Sequence, residues 1–394
     1  MITGNPICKD KFFRITLYTV LLAAAALLLG SCANPGTVQY PATWKNVGYA
    51  GFSAGESRAI YIVFGPNDTP YVVFEDHSMN GKATVMQYSG GSWNVVGSPG
   101  FTSGSVTKPR IAVDSTGTVY VAFEDDTNPA RRAATVMKYD GSWAVAGSAG
   151  FTDPFVRYLD IAVSGNDVPY VVYADPANNN RYAKVEKLSA GSWSVVSKKA
   201  QALTQNAAYD IRISFSGNTP YLTFIRPSLG NRATVMKYTG STNENHEVQD
   251  DGWEYEGTAY VSADDAWDTR IAISGGGVPY VAYQDEAHGS KVTVKRFSSG
   301  SWSTVGAPGF TSPKPLNLEL ALGPNATPYV AFKDDAYNHR ITVMKYDGVE
   351  WGTLGGKGIF ATDSLDLAVN SRNVPYLAFE DFKKDEEVSV RRYE

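Results

Sequence analysis

The chain has 394 residues, of which 43% are hydrophobic, 12% aromatic and 19% charged. This is a globular composition, and the formal net charge of -5 argues against a surface that binds nucleic acid. With four histidines and two widely separated cysteines, the chain offers neither a zinc cluster nor a disulfide framework, and we expect no metal and no cofactor.

The N-terminus has the layout of an export signal. Lys9, Lys11 and Arg14 precede an uncharged apolar run over residues 15–29. The run is short for a membrane span, and basic residues before such a run are typical of a secretory signal peptide. The sequence therefore predicts that this segment is removed during export.

The apolar run ends in Leu-Gly-Ser-Cys at residues 29–32, which resembles the lipobox of bacterial lipoproteins. That resemblance implies cleavage before Cys32 and acylation of Cys32, and the following Ala33 favours the outer membrane of the cell envelope. A plain signal peptide with a chance cysteine is the alternative. The predicted organisation is a signal peptide over 1–31, a lipidated tether over 32–42 and one domain over 43–394.

Two aromatic phrases recur seven times along the rest of the chain, with a period of about 50 residues. The tryptophans of a G-S-W-x-V-V-G phrase are Trp44, Trp93, Trp143, Trp193, Trp253, Trp302 and Trp351. The tyrosines of a P-Y-V-A-F-x-D phrase are Tyr71, Tyr120, Tyr170, Tyr221, Tyr280, Tyr329 and Tyr376. A repeat of this length indicates a closed or stacked architecture rather than several unrelated domains.

Each repeat contains four short β-patterns, A to D, separated by Gly, Asn, Asp and Pro turns; in one repeat they span 110–113, 118–124, 134–139 and 142–145. Four-stranded units repeated radially predict an all-β fold, a seven-bladed β-propeller with four antiparallel strands per blade. The repeats begin with a D pattern at 43–47 and end with a C pattern, so we expect the N-terminal strand to complete the last blade.

The repeats over residues 40–394 resemble the degenerate kelch or sialidase-like repeats of bacterial propeller lipoproteins, a likeness that implies a fold class rather than one activity. In such propellers the D-to-A and B-to-C loops share one face, here called the cavity face, and the other turns share the far face. The tether enters from the far face and reaches roughly 35 Å at most. We therefore expect the cavity face to point away from the membrane.

An aspartate follows strand B in six repeats, and the fourth repeat has Arg226 instead. We interpret this aspartate as a turn former that often pairs with a basic residue across the loop. The longest irregular segment, between Tyr238 and Trp253, contains His246 and several acids, and we interpret it as a solvated loop rather than a metal site.

The position before the apolar part of strand A differs in chemistry between repeats, and it should ring the mouth of the central channel. A ring of two arginines, four carboxylates and a tyrosine could bind a polar ligand through its guanidiniums. The alternative is a self-neutralising ring filled with water. The predicted ring residues are Tyr61, Arg110, Asp160, Asp210, Arg270, Glu319 and Asp366.

Departures from the repeat add further candidates for a binding site. Arg212, aligned here with Ala112, makes the fourth repeat basic together with Arg226. Trp267 lies outside the tryptophan series, in a predicted D-to-A loop, where an exposed indole would suit stacking on a sugar. Packing of Trp267 between blades is the alternative.

The sequence favours a membrane-anchored, monomeric binding or scaffold protein that recognises a glycan or a protein through the cavity face. The mixture of Arg110, Arg270, Tyr61 and carboxylates superficially resembles a sialidase site, but the blade count and the turns differ. A glycoside hydrolase-like enzyme that uses two channel carboxylates is the alternative. A scaffold whose rim carries the contacts is the third hypothesis, and no nucleophile elbow, metalloprotease, P-loop or calcium-loop motif occurs.

Overall fold

A computed structural model describes residues 42–127, 132–176, 181–196, 207–240 and 252–394. Residues Ala42–Glu394 form one compact unit, and in these ranges the chain builds 28 β-strands in seven four-stranded antiparallel sheets. This seven-bladed β-propeller confirms the predicted fold class. Within the same ranges, no helix is long and apolar enough to cross a membrane.

Each blade has four strands, A to D from the centre outward. Blades 1 to 4 contain β2 (Ser57–Gly65), β3 (Thr69–Asp76), β4 (Lys82–Ser89), β5 (Ser92–Val95); β6 (Val106–Val113), β7 (Val119–Asp125), β8 (Ala134–Tyr139), β9 (Trp143–Val145); β10 (Arg157–Val163), β11 (Pro169–Asp175), β12 (Tyr182–Ser189), β13 (Ser192–Val195); β14 (Tyr209–Ser216), β15 (Thr219–Arg226), β16 (Arg232–Tyr238), β17 (Trp253–Tyr255). Blades 5 to 7 contain β18 (Ala266–Ile273), β19 (Pro279–Asp285), β20 (Lys291–Ser298), β21 (Ser301–Thr304); β22 (Leu316–Leu322), β23 (Pro328–Asp334), β24 (Arg340–Tyr346), β25 (Trp351–Thr353); β26 (Leu365–Val369), β27 (Pro375–Asp381), β28 (Glu387–Tyr393) and β1 (Trp44–Asn46). Short 3-10 turns occupy Pro66–Asp68, His77–Met79, Pro227–Leu229, Glu286–His288 and Asp335–Tyr337.

The strand B phrase is almost continuously apolar because neighbouring blades cover both faces of each sheet. In β7, Val121 and Phe123 belong to the cluster between blades 1 and 2, while Tyr120 and Ala122 belong to the cluster between blades 2 and 3. Alternate side chains therefore enter opposite interfaces. Seven such clusters fill the seven blade interfaces of the ring.

The N-terminal strand completes blade 7, as predicted. β1 pairs with β28 in the register Trp44↔Tyr393, and the amide of Thr43 donates to the carbonyl of Glu394 at 2.8 Å. The next residue after the strand, Val47, is 2% exposed and donates its amide to Val390 at 2.9 Å. The two ends of the propeller are thus held by one antiparallel pairing.

The repeated tryptophan links each blade to the preceding one. Its indole N–H donates to a carbonyl at the end of the preceding strand D, over distances of 2.7–2.9 Å; the pairs are Trp44–Leu354, Trp93–Val47, Trp143–Val96, Trp193–Ala146, Trp253–Val196, Trp302–Glu256 and Trp351–Val305. In six of the seven pairs the glycine of the phrase follows that carbonyl, and Ser197 follows Val196 in the sequence. At Gly97, φ is +72° and a Cβ would lie 2.8 Å from Trp143 Cδ1, so both backbone and space demand glycine.

The aspartate at the end of strand B is a turn former, as predicted, because in three blades its Oδ1 accepts from a backbone amide of the following turn; the pairs are Asp125–Thr127, Asp334–Ala336 and Asp381–Lys383. In four blades its carboxylate accepts from a strand C hydroxyl eight residues later, in the pairs Asp76–Thr84, Asp285–Thr293, Asp334–Thr342 and Asp381–Ser389. The expected pairing with a basic residue is wrong at Arg340, whose guanidinium donates to the carbonyls of Gly358 and Ile359. The hydroxyl lies on the adjacent strand, so it reaches the carboxylate without ordering a long side chain.

Candidate functional site

In six blades, strand A contains a β-bulge near the cavity face. The pairing of strands A and B shifts there, and one residue within each shift has a left-handed backbone with φ of 47–56°. Each such non-glycine residue costs roughly 1–2 kcal/mol, and a bulge turns neighbouring side chains toward the mouth. These residues are Ala59, Lys108, Tyr158, Asp210, Asp268 and Asn317.

One strand A residue in each blade lies opposite the third residue of the Y-V-A or equivalent triplet in strand B, and in six blades it comes just past the bulge. These seven side chains form what we call the mouth ring. The members are Tyr61, Arg110, Asp160, Arg212, Arg270, Glu319 and Asp366.

The predicted alignment of Arg212 with Ala112 is wrong. Arg212 pairs with Thr223 as Arg110 pairs with Ala122, so the two arginines occupy equivalent positions. The cause is the turn before strand B, which encloses residues 216–219 in blade 4 but the longer 114–118 in blade 2. The ring therefore has three arginines, three carboxylates and one tyrosine.

Asp210 belongs to the bulge position rather than to the mouth ring, which corrects its predicted place. Its Oδ2 accepts a hydrogen bond from the amide of Asp268 at 3.1 Å, across the interface between blades 4 and 5. Asp210 nevertheless lines the same cavity as the ring. Its main contact is therefore structural, at the edge of the candidate site.

The mouth ring opens into a cavity of about 530 Å³ on the cavity face. Its wall includes Tyr61, Arg110, Arg212, Arg270 and Glu319. A second space of about 190 Å³ lies along the ring and adjoins the next strand A residues, which are apolar: Val63, Ile111, Ile161, Ile213, Ile271 and Leu320. A cavity of this size with convergent polar groups is of the kind that binds small ligands.

Arg270 has its charge fully engaged within the protein. Nε and Nη2 donate to the two oxygens of Glu319 at 2.9 and 3.1 Å, and Nη1 lies 2.7 Å from Asp268 Oδ1 and donates to the carbonyl of Thr269 at 3.0 Å. Burial disfavours the charged form of Arg270, but Asp268 and Glu319 outweigh it and raise the pKa. Arg270 was predicted to bind a ligand, but its Nε, Nη1 and Nη2 all donate to groups of the protein, so it has no free pair of parallel N–H donors for a ligand.

The other two arginines have looser partners. Arg110 is 9% exposed, lies 3.5 Å over the ring of Tyr61 and has its Nε 3.7 Å from Asp160 Oδ1. Its Nη1 is buried without a hydrogen-bond partner among the described residues. Arg212 donates Nη1 to the carbonyl of Ile211 at 2.9 Å, and no ion pair to it is found in the described part of the chain. Donor capacity therefore remains at this side of the mouth.

Several carboxylates at the mouth join neighbouring blades. Asp160 Oδ2 accepts from the amide of Ile213 at 3.1 Å, and Asp366 Oδ2 accepts from the amide of Ile62 at 2.8 Å. Asp268 Oδ2 accepts from the amide of Leu318 at 2.8 Å. Each carboxylate satisfies a strand A amide of the next blade, so part of the ring chemistry holds the channel together.

Asp366 has a strongly altered ionisation. Burial raises its pKa to about 8, and the negative charge of Glu319 contributes in the same direction. Backbone amides of Ile62 and Leu367 favour the ionised form but do not outweigh burial. Asp366 is therefore mainly neutral near pH 7, while Glu319 remains paired with Arg270.

Trp267 lies inside β18, paired with Gln284, and not in the predicted loop. It is 40% exposed and lines the 530 Å³ cavity, which excludes the alternative of packing between blades.

Arg226 lies at the end of β15, outside the cavity. Its guanidinium donates to Ser228 at 3.2 Å and contacts the hydroxyl of Tyr255. It replaces the turn-forming aspartate in blade 4 and does not line the cavity.

Two kinds of residue that line the cavity were not predicted from the sequence. Lys108 and Asn317 occupy the bulge, and Glu124 and Gln284 lie at the end of strand B. The bulge residues occur two positions before the ring position, a fixed offset that would have found them. The strand B residues lie beside the turn-forming aspartate.

Three predicted features fall outside the described residues: the signal peptide over 1–31, Cys32 with the tether up to residue 41, and the acidic loop that contains His246. In the described ranges, no group of three or more His, Cys, Asp or Glu side chains is placed to hold a metal ion.

No family model and no curated protein matches this chain. Among solved structures it is similar to an ulvan lyase, a polysaccharide lyase bound to a glucuronic acid–rhamnose 3-sulfate unit, with 11% identity over 88% of this chain and 95% of that chain and a TM-score of 0.55. It is also similar to the SapL1 lectin in complex with alpha methyl fucoside, with 16% identity over 77% of this chain and 96% of that chain and a TM-score of 0.48. A Penicillium chrysogenum alpha-L-arabinanase complexed with arabinobiose has 10% identity over 73% of this chain and 92% of that chain, with a TM-score of 0.45. At these identities the likeness shows the fold alone.

Proposed function

We infer that this protein is a lipid-anchored binding protein of the bacterial cell envelope, and that its propeller binds a glycan at the channel mouth. The observation that carries the proposal is the 530 Å³ cavity, in which the half-exposed Trp267 stands beside charged and amide side chains. An aromatic face covers the apolar face of a sugar ring, while fixed polar groups bind its hydroxyls.

The fold likeness supports this proposal in a limited way. The ulvan lyase, with a TM-score of 0.55, holds a polysaccharide unit on the same kind of scaffold. A propeller of this architecture can therefore carry a glycan site, and the argument for such a site here rests on the cavity itself.

The proposed anchor sets the orientation of the cavity. Strand D of blade 7, β1, begins on the far face, so a lipid on Cys32 would approach from that side. The ten or so tether residues reach at most about 35 Å. The cavity face then points away from the membrane, where an extended glycan has access.

Trp267→Ala tests the proposal on a glycan array and by isothermal titration with the best glycan found. We expect the affinity to fall about tenfold to a hundredfold, because stacking of a ligand ring on an aromatic side chain contributes roughly 1–3 kcal/mol. Tyr49→Ala is the control, because Tyr49 is an aromatic residue that is 83% exposed and lies outside the cavity lining. Absence of glycan binding by the wild-type protein would overturn the proposal.

A glycoside hydrolase-like activity is the second candidate, favoured by one observation. Burial raises the pKa of Asp366 to about 8, so it holds its proton more readily than an ordinary aspartate, and Glu319 is close enough to contribute to that shift. A protonated acid near an ionised carboxylate is the arrangement that glycosidases use. Turnover of fluorogenic glycosides that is lost in Asp366→Asn would support this activity; binding without turnover by the wild-type protein would exclude it for those substrates.

A further inference from the structure

We propose that Arg110 and Arg212 together form an anion site that binds the acidic group, a carboxylate or a sulfate ester, of the glycan. This inference rests on the proposed function for the identity of the ligand. The anion site itself follows from the unused donors of two arginines that share one cavity.

The first observation is the burial of an unsatisfied guanidinium group. Arg110 is 9% exposed, and its Nη1 lacks a hydrogen-bond partner among the described residues. A buried donor to which nothing is bonded costs free energy, more so when the group is charged. The same side chain lines both the 530 and the 190 Å³ spaces, so a ligand in the mouth reaches it.

The second observation is the neighbour of Arg110 across Asp160. Arg212 lines both spaces as well, and its one hydrogen bond within the described residues runs to the carbonyl of Ile211. The positive charge of Arg212, after burial, is the main influence that lowers the pKa of Arg110. Each of these two guanidiniums makes the charged form of the other less favourable. An anion that lies between them stabilises both positive charges.

The nearby carboxylates do not supply the hydrogen-bond partners that Arg110 and Arg212 lack. Asp160 contacts Arg110 Nε at a long 3.7 Å and also accepts from the amide of Ile213. Glu319 is committed to Arg270 by two hydrogen bonds. Asp366 is mainly neutral near pH 7. Asp210 also lines the cavity, but its Oδ2 accepts from the amide of Asp268. Of the nearby carboxylates, only Asp160 forms an ion pair with Arg110 in the described residues, and none forms one with Arg212.

The mouth is therefore divided into two halves with different roles. Arg270 lies in an ion-pair network with Asp268 and Glu319, which fixes the wall between blades 5 and 6. Arg110 and Arg212 face the ligand from blades 2 and 4. Because a guanidinium presents a planar fork of donors, the pair suits a carboxylate or a sulfate better than a neutral hydroxyl.

The test compares acidic and neutral ligands on the folded propeller by isothermal titration. The probes are uronic acid oligosaccharides, their carboxyl-reduced neutral forms, sulfated oligosaccharides and inorganic sulfate. The variants are Arg110→Gln and Arg212→Gln, with Arg212→Lys to keep the charge but not the fork. Arg58→Gln is the control, since Arg58 is 58% exposed and pairs with Glu56 at 2.7 Å outside the cavity.

We expect each Gln variant to lose about tenfold to a hundredfold in affinity for the acidic ligand, with unchanged affinity for the neutral form. The better of the uronic and sulfated series identifies the acidic group. Unchanged acidic-ligand affinity in both folded Gln variants would overturn the anion site while leaving the glycan proposal intact. Arginine-dependent sulfate binding without any glycan binding would support the anion site and overturn the proposed function.

Discussion

Substitution of Gly97 by Ala tests the link between blades. A Cβ on Gly97 would lie 2.8 Å from Trp143 Cδ1, from Trp143 Nε1 and from Tyr139 Cε2, so the indole must move. Movement of the indole would also weaken or break its 2.9 Å hydrogen bond to the carbonyl of Val96. Gly117→Ala is the matched control, because Gly117 has φ of +93° but nothing within 4 Å of its Cβ position.

The two variants share the backbone cost and differ in the contact. A left-handed alanine costs roughly 1–2 kcal/mol at either site. At Gly97, overpacking adds about 1–3 kcal/mol and loss of the indole hydrogen bond adds about 1 kcal/mol. The expected difference in the free energy of unfolding is therefore about 2–4 kcal/mol.

Thermal unfolding measures this difference. With an unfolding entropy of about 2.1 cal/mol/K per residue over roughly 350 residues, 1 kcal/mol corresponds to about 1.4 °C in Tm. Gly97→Ala should therefore have a Tm about 3–6 °C below that of Gly117→Ala. Equal Tm values for the two variants would refute the idea that the glycine makes room for the tryptophan of the next blade.

Three other predictions follow from the anchor, the closure and the ring. Cys32→Ala should move the protein from the membrane fraction to the soluble fraction and abolish palmitate labelling. A variant that stays in the membrane fraction and is still labelled would contradict lipidation. Deletion of residues 43–47 should expose the edge of β28, which we expect to see as oligomers in light scattering and as faster amide exchange in β28, whereas deletion of 36–41 should leave both unchanged. The folded pKa of Asp366, about 8, lies above the ordinary aspartate value, so the folded state holds a proton that the unfolded state releases. Its contribution to stability is complete below about pH 4 and is lost as the pH rises through about 8, and Asp366→Asn should flatten the fall in the free energy of unfolding over that range. An unchanged slope would show that Asp366 ionises normally.

The blades were predictable from sequence because their signal is periodic and local. Seven copies of one tryptophan phrase reveal both the blade count and the closing strand at Trp44. Strand A was predicted too short, at 110–113 instead of Val106–Val113. The apolar run stops at the bulge. Before it, the strand has a buried Val106, a half-buried Thr107 and an exposed Lys108, which form no alternating pattern.

The site was less predictable because its chemistry depends on contacts between blades. Asp210 was predicted in place of Arg212. The turn before strand B is shorter in blade 4, so the offset from the repeat tyrosine that holds in the other blades falls on Ile211, between the two residues. The saturation of Arg270 depends on Glu319, 49 residues later in the chain, and no local pattern encodes that pairing. The seven positions could be located approximately from the repeat, whereas which guanidinium keeps free donors required the structure.

The shorter turn between β14 and β15 has a practical consequence for engineering. Blade 4 has lost one residue from a far-face turn, yet Arg212 keeps its place opposite Thr223. The ladder sets the position of the mouth side chains, and loop length adds little closure cost. A far-face turn such as the one at the exposed Asn325 should therefore accept an inserted peptide or reporter domain, which allows the protein to be immobilised or tracked with its mouth unobstructed.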